Sequence, residues 1–244
     1  MIKKLIAILL LATSSVYANQ TLTAQAWIVA DNSGRIFEAS NMHEIRSIAS
    51  ITKLMTAMVV LDSGQSLTEI IPKKLYNKQL TREILIDLAI VKSDNNAAKL
   101  LCDYYPGGYN NCINAMNVKA ISLQMNNSIF TDPTGLLSTN VSTAQDLIKL
   151  VFAASKYPLI VEASNMDAVR WTINKKKIAE FRNTNSLVGP NNSFLVSKTG
   201  WITKSGGCIV MMLNTANGIR TVVLLGSKDT KTRIPEAKML SMLY

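Results

Sequence analysis

Residues 51–61 are apolar apart from Thr52, Lys53 and Thr56. A helix that is apolar nearly all round is a buried one. The pattern therefore predicts a central buried helix from Ser50 to about Ser63-Gly64. Ahead of it, the β-rich segments 24–30 and 35–39 flank Asp31-Asn32-Ser33-Gly34, which predicts an N-terminal hairpin. A polar stretch with Pro72 leads to Thr81, placed to cap a helix over 82–91. Ser93-Asp94-Asn95-Asn96 breaks that helix from the next, over 97–105, which Gly107-Gly108 end before a helix over about 110–123. Ser142-Thr143-Ala144-Gln145 matches a capping box for a helix over 143–154, stopped at Tyr157-Pro158. Beyond it the pattern turns to strands. Segments 171–173 and 178–181 flank three lysines, and 194–203, 208–214 and 219–226 are consecutive, with Asn217-Gly218 marking a hairpin between the last two. A helix over about 234–243 closes the chain.

Strands at both ends and helices between predict an α+β fold. An antiparallel β-sheet containing both chain ends is flanked by helices, with an all-helical subdomain inserted at about 62–160. No repeat or flexible linker divides residues 19–244, which read as one catalytic domain.

The first residues change the picture of location. Lys3 and Lys4 precede a short apolar run, 5–12, and Val16-Tyr17-Ala18 offers a small residue for cleavage. The reading is a signal peptide over 1–18, cut after Ala18, and a periplasmic mature protein with at most peripheral membrane contact. Losing the two lysines takes the formal charge from +10 to +8. A basic exported protein is drawn to polyanions such as the cell wall. Export, and the lack of basic-aromatic interleaving, argue against nucleic acid. In an oxidising compartment Cys102 and Cys112, either side of Tyr104-Tyr105-Pro106-Gly107-Gly108, are expected to close a disulfide, and Cys208 to be a buried thiol. One histidine, His43, supports neither a zinc site nor a Ser-His-Asp triad, so no metal or cofactor is expected and a hydrolase would need lysine as its base.

Candidate chemistry comes from three motifs in order: Ser50-Ile51-Thr52-Lys53, Ser93-Asp94-Asn95 and Lys198-Thr199-Gly200. Ser50 and Lys53 stand one helical turn apart on the same face. Each motif alone has a structural reading: a helix start, a capping turn, a strand end. Together, in this order, they resemble the penicillin-recognising serine acyl-transferases. More narrowly the chain is similar to the low-molecular-mass penicillin-binding proteins of the 7/8 type, which are D-alanyl-D-alanine endopeptidases. Asp31-Asn32-Ser33-Gly34, Tyr105-Pro106-Gly107-Gly108, Asp132-Pro133-Thr134-Gly135-Leu136 and Asn183-Thr184-Asn185 extend the resemblance over nearly the whole mature chain.

Ser50 then reads as the nucleophile and Lys53 as its base, with a pKa lowered by burial and by the charge of Lys198. Ser93 relays a proton to the leaving amine. Asn95 positions substrate and Lys53, Lys198 and Thr199 suit a substrate carboxylate, and Gly200 lets substrate lie along the strand. Asp94 reads as a cap. The resemblance implies an oxyanion hole from the backbone N–H groups of Ser50 and Trp201. It also implies peptidoglycan peptides as substrates and β-lactam antibiotics as covalent inhibitors. Between 97 and 160 the acids are Asp103, Asp132 and Asp146, and no E-x-x-L-N pattern supplies the water-activating glutamate of a class A β-lactamase. The expected activity is an endopeptidase cutting D-alanyl–diaminopimelate cross-links. A carboxypeptidase, a β-lactamase and a non-catalytic wall-binding module are the alternatives. The chain ends about where a catalytic domain would, leaving no room for an additional C-terminal β domain and anchor.

Overall fold

The computed structural model describes residues 22–174, 177–190 and 193–243, so the expected signal peptide lies outside the described residues. Five strands form the main sheet, in the order β2-β1-β9-β8-β7. They are β1 (Ala26–Asp31), β2 (Ile36–Ser40), β7 (Phe194–Ile202), β8 (Gly206–Thr215) and β9 (Gly218–Ser227). All pairings are antiparallel, and β1 beside β9 unites the two ends of the chain. The β1–β2 turn closes through Asp31, whose carboxylate accepts from the N–H groups of Ser33 and Arg35. Short strands β3 (Arg46–Ser47) and β4 (Val141–Ser142) pair with each other, as do β5 (Ala168–Asn174) and β6 (Lys177–Arg182).

The helices are α1 (Thr52–Asp62), α2 (Arg82–Asp87), α3 (Asn95–Asp103), α4 (Tyr109–Ser122), α5 (Ala144–Ala154), α6 (Pro158–Asn165) and α7 (Arg233–Leu243). A 3-10 turn over Ala49–Ile51 leads into α1, whose residues 52–60 are buried on every side. Strands β8 and β9 are buried on both faces. One face carries Val210, Met212, Val223 and Leu225 towards the core around α1. The other carries Ile209, Met211, Val222 and Leu224 towards Ala237 and Leu240 of α7. Two covered faces explain why these strands read as runs rather than alternations. α5, within the span expected for the insert, packs against β1, β8 and β9.

Three local readings shift. The helix after Thr81 keeps its cap, with Thr81 Oγ1 accepting from Ile84 N, but α2 widens into a π-turn over Leu88–Lys92. The cap of α5 is Thr143, accepting from Asp146 N, one residue later than the capping-box reading; Ser142 belongs to β4. Pro158 does not only stop a helix: it occupies the first turn of α6, where its missing N–H costs nothing.

A disulfide joins Cys102 of α3 to Cys112 of α4, both fully buried. Closing a loop of this size stabilises by roughly 2–3 kcal/mol. Converting both cysteines to alanine should lower the urea midpoint by a corresponding amount, read by circular dichroism.

Candidate active site

Ser50 sits in the 3-10 turn ahead of α1, and Ala49 just before it adopts φ 46°, a left-handed conformation for a non-glycine residue. Its N–H lies in the first turn of a helix, where no intrahelical acceptor exists. Two glycines press on that N–H from different segments. A Cβ at Gly200 of β7 would stand 2.9 Å from Ser50 N and 3.0 Å from Ile48 O. A Cβ at Gly135, whose φ is +78°, would fall 1.9 Å from Ala49 O and 2.9 Å from Ser50 N. Gly200 is therefore needed first for the approach of the Ser50 turn, before any question of substrate.

Lys53 has no exposed surface. Its Nζ donates to Ser50 Oγ at 2.7 Å, to Asn95 Oδ1 at 2.8 Å and to the carbonyl of Thr134 at 2.6 Å. Ser50 Oγ also donates to Thr134 O at 3.3 Å. Burial takes the Lys53 pKa down to about 7, against the opposing charges of Asp132 and Asp94. The Thr134 carbonyl is held by its loop. Asp132 accepts from the N–H groups of Thr134, Gly135 and Leu137 and from Asn140 Nδ2, and these bonds hold its carboxyl below the usual range despite burial.

Lys198 is buried in β7, and its Nζ donates to Thr199 O at 2.8 Å. Burial, then the charges of Lys53 and Arg233, push it well below the ordinary lysine value. The charge of Lys198, expected to lower Lys53, is not what sets the Lys53 value. Burial alone accounts for the low value of Lys53.

β7 is the edge strand on this side of the sheet. Thr199 Oγ1 donates to Thr184 Oγ1 at 2.7 Å, and Thr184 N donates to Val91 O of the π-turn at 3.0 Å. Asn185, buried, donates to Ser197 Oγ at 2.9 Å. The Asn183-Thr184-Asn185 segment thereby ties β7 to the turn that carries the second motif. From the far side of the strand, buried Arg233 of α7 donates to Gly200 O at 2.6 Å.

A family model described as D-alanyl-D-alanine carboxypeptidase, of the serine peptidases, matches residues 13–229. The chain belongs to this family of serine DD-peptidases. It is 38% identical over 234 residues to the D-alanyl-D-alanine endopeptidase of Escherichia coli, covering 89% of this chain and 76% of that protein. It is 34% identical to the endopeptidase of Pseudomonas aeruginosa, covering 91% and 77%. A penicillin-binding protein of Listeria monocytogenes in its ampicillin-bound form superimposes with a TM-score of 0.81 at 25% identity, over 91% of this chain and 97% of that one. A Streptomyces DD-transpeptidase shares the fold, with a TM-score of 0.82 at 24% identity over the same shares.

In this DD-peptidase the geometry joins Ser50, Lys53 and Asn95 directly, and brings Gly200 against Ser50. Ser93 lies half-buried at a left-handed junction before α3, with φ 61°. Its side chain makes no hydrogen bond among the described residues. Asp94 caps α3, its Oδ1 accepting from Ala97 N at 2.9 Å. The Trp201 side chain is half exposed at the rim beyond Gly200. Three contributors escaped the motif reading: the Thr134 carbonyl, Asp132 and Arg233. The first acts through its backbone and the others touch only backbone or loop groups near the site. The one sequence signal for the first two was the Asp132-Pro133-Thr134-Gly135 turn.

Proposed function

We propose that this DD-peptidase is an exported, periplasmic endopeptidase that cuts D-alanyl–diaminopimelate cross-links of peptidoglycan through an acyl-enzyme at Ser50. The contact of the fully buried Lys53, through its Nζ, with Ser50 Oγ at 2.7 Å carries the reading. Neutral Lys53 takes the Ser50 proton as Oγ attacks the D-alanine carbonyl carbon. The Ser50 N–H, with that of Trp201, stabilises the resulting oxyanion. The amide C–N bond then breaks, its nitrogen takes a proton by way of Ser93, and water later hydrolyses the ester. Asn95 holds Lys53 and offers its amide to the substrate. Lys198 and Thr199 take the carboxylate next to the scissile bond, and that anion favours the charged form of Lys198 against the burial that lowers its pKa.

β-Lactams would acylate Ser50 and stay trapped. Slow release is supported by the state of the acids between 97 and 160. Asp132 is consumed by its own loop, Asp103 pairs with Lys99, and Asp146 accepts from Asn127 and Ser128. None is free to activate water. The two relatives named as endopeptidases favour cross-link cleavage over the carboxypeptidase reading that the family description carries. Digestion of purified cross-linked muropeptides decides between them. Dimers converting to monomers support the endopeptidase; loss of only terminal D-alanine from pentapeptides overturns it in favour of the carboxypeptidase.

A further inference from the structure

The polar connection between α1 and α2 contains an unusual pair: Tyr76 and Asn77 are both left-handed, with φ 53° and 61°. This turn points the Tyr76 hydroxyl at the segment carrying Ser93. Tyr76 Oη accepts from Lys92 Nζ and donates to Asp94 Oδ2. Lys92 and Asp94 are themselves 3.6 Å apart. One phenol therefore joins the side chains on either side of Ser93. The other Asp94 oxygen is already committed to the cap of α3. Ser93 itself is a non-glycine residue at φ 61°, ψ 35°. Such a conformation persists only where its surroundings over-determine it.

The ring anchors the same bridge. Tyr76 lies 4.4 Å from Phe181 and 6.1 Å from Trp171, centroid to centroid, on the β5–β6 hairpin. Lys92 Nζ sits 4.7 Å from the Tyr76 ring centre and 4.5 Å from that of Phe181. Lys78, two residues on, donates to Thr172 O of the same hairpin. Burial and the bond to Asp94 hold the phenol above its ordinary pKa, with Lys92 opposing, so it stays a donor at neutral pH.

We propose that Tyr76 is a positioning residue for the acyl-transfer reaction: by bridging Lys92 and Asp94 it locks the left-handed conformation of Ser93 from which the leaving nitrogen is protonated. The proposal rests on the function argued above. Tyr76 touches no reacting atom. Its effect passes through Ser93 Oγ, which gives its proton to the departing nitrogen and regains one from the Lys53 ammonium.

The test is Tyr76→Phe, which keeps the ring and removes the bridge. The assay is acylation by a fluorescent penicillin, whose lactam nitrogen needs the same proton. Concentration dependence separates the acylation rate from initial binding. The acylation rate should fall about 10- to 100-fold, the scale of a small misplacement, while binding changes less than about twofold and the melting temperature moves by only a few degrees. Lys92→Met, which removes one end of the bridge at a part-exposed side chain, should move the rate in the same direction. In a Ser93→Ala background Tyr76→Phe should add no further loss, because it acts through Ser93. Equal loss in both backgrounds, or a Tyr76→Phe protein as fast as its parent, overturns the proposal. A parent that is never labelled overturns the functional reading instead.

Discussion

The Ser50→Ala protein takes up no fluorescent penicillin and releases no product from cross-linked muropeptides, while folding and melting close to its parent. The loss in turnover is on the order of 10⁶-fold, the scale seen when a serine nucleophile is removed. The structure explains why stability should survive. Ser50 is half-buried in a helical turn, a position that accepts alanine. Lys53 loses one acceptor but keeps Asn95 Oδ1 and Thr134 O. One lost hydrogen bond costs about 1 kcal/mol. The backbone N–H proposed for the oxyanion hole and the Gly135 and Gly200 contacts around it are untouched. Binding without covalent capture is thus the expected phenotype. Persistent labelling on a denaturing gel would place the nucleophile elsewhere and refute the assignment.

How much of this was legible in the chain follows from which atoms do the work. Side chains with distinctive chemistry at fixed spacing, Ser50, Lys53 and Asn95, were readable from type and order, and the structure puts them within hydrogen-bond reach. The flanking strands were readable because the Asp31-to-Gly34 and Asn217-Gly218 turns punctuate them. Groups that act through the backbone left no such trace. The Thr134 carbonyl could be any residue's, and its importance appears only once Asp132 is seen to fold that loop against Lys53. Arg233 is remote in sequence and meets β7 only through the assembled sheet. Tyr76 lay in a stretch whose polarity suggested a simple connection. The π-turn was hidden because widening a helix by one residue leaves its composition unchanged. Charge was the subtlest loss. Lys53 reads as lowered partly by its lysine neighbour, but how far burial alone lowers it depends on surroundings no spacing encodes.

The burial of Lys53 sets the second large effect. In the parent, the acylation rate should rise with pH through about 7 and then level off, following the titration of Lys53. The sign follows from proton count. As an ammonium, Lys53 has three hydrogens and three acceptors, Ser50 Oγ, Asn95 Oδ1 and Thr134 O, and no lone pair with which to take a proton. As a neutral amine it has two hydrogens, enough for Asn95 and Thr134, and a lone pair left for the Ser50 hydroxyl. The Ser50–Lys53 bond then reverses direction and the serine becomes a nucleophile. Lys53→Met keeps the length and much of the volume of the buried chain but offers no base. Acylation should drop about 10³- to 10⁴-fold, the upper part of what a positioned general base contributes, and what remains should lose its rise through pH 7. A parent profile that climbed only near an ordinary lysine's value, about 10.4, would mean that Lys53 stays charged at neutral pH. A Lys53→Met protein with the parent's rise through 7 would assign that titration to another group. Either result would leave the 2.7 Å contact in place and remove Lys53 as the base.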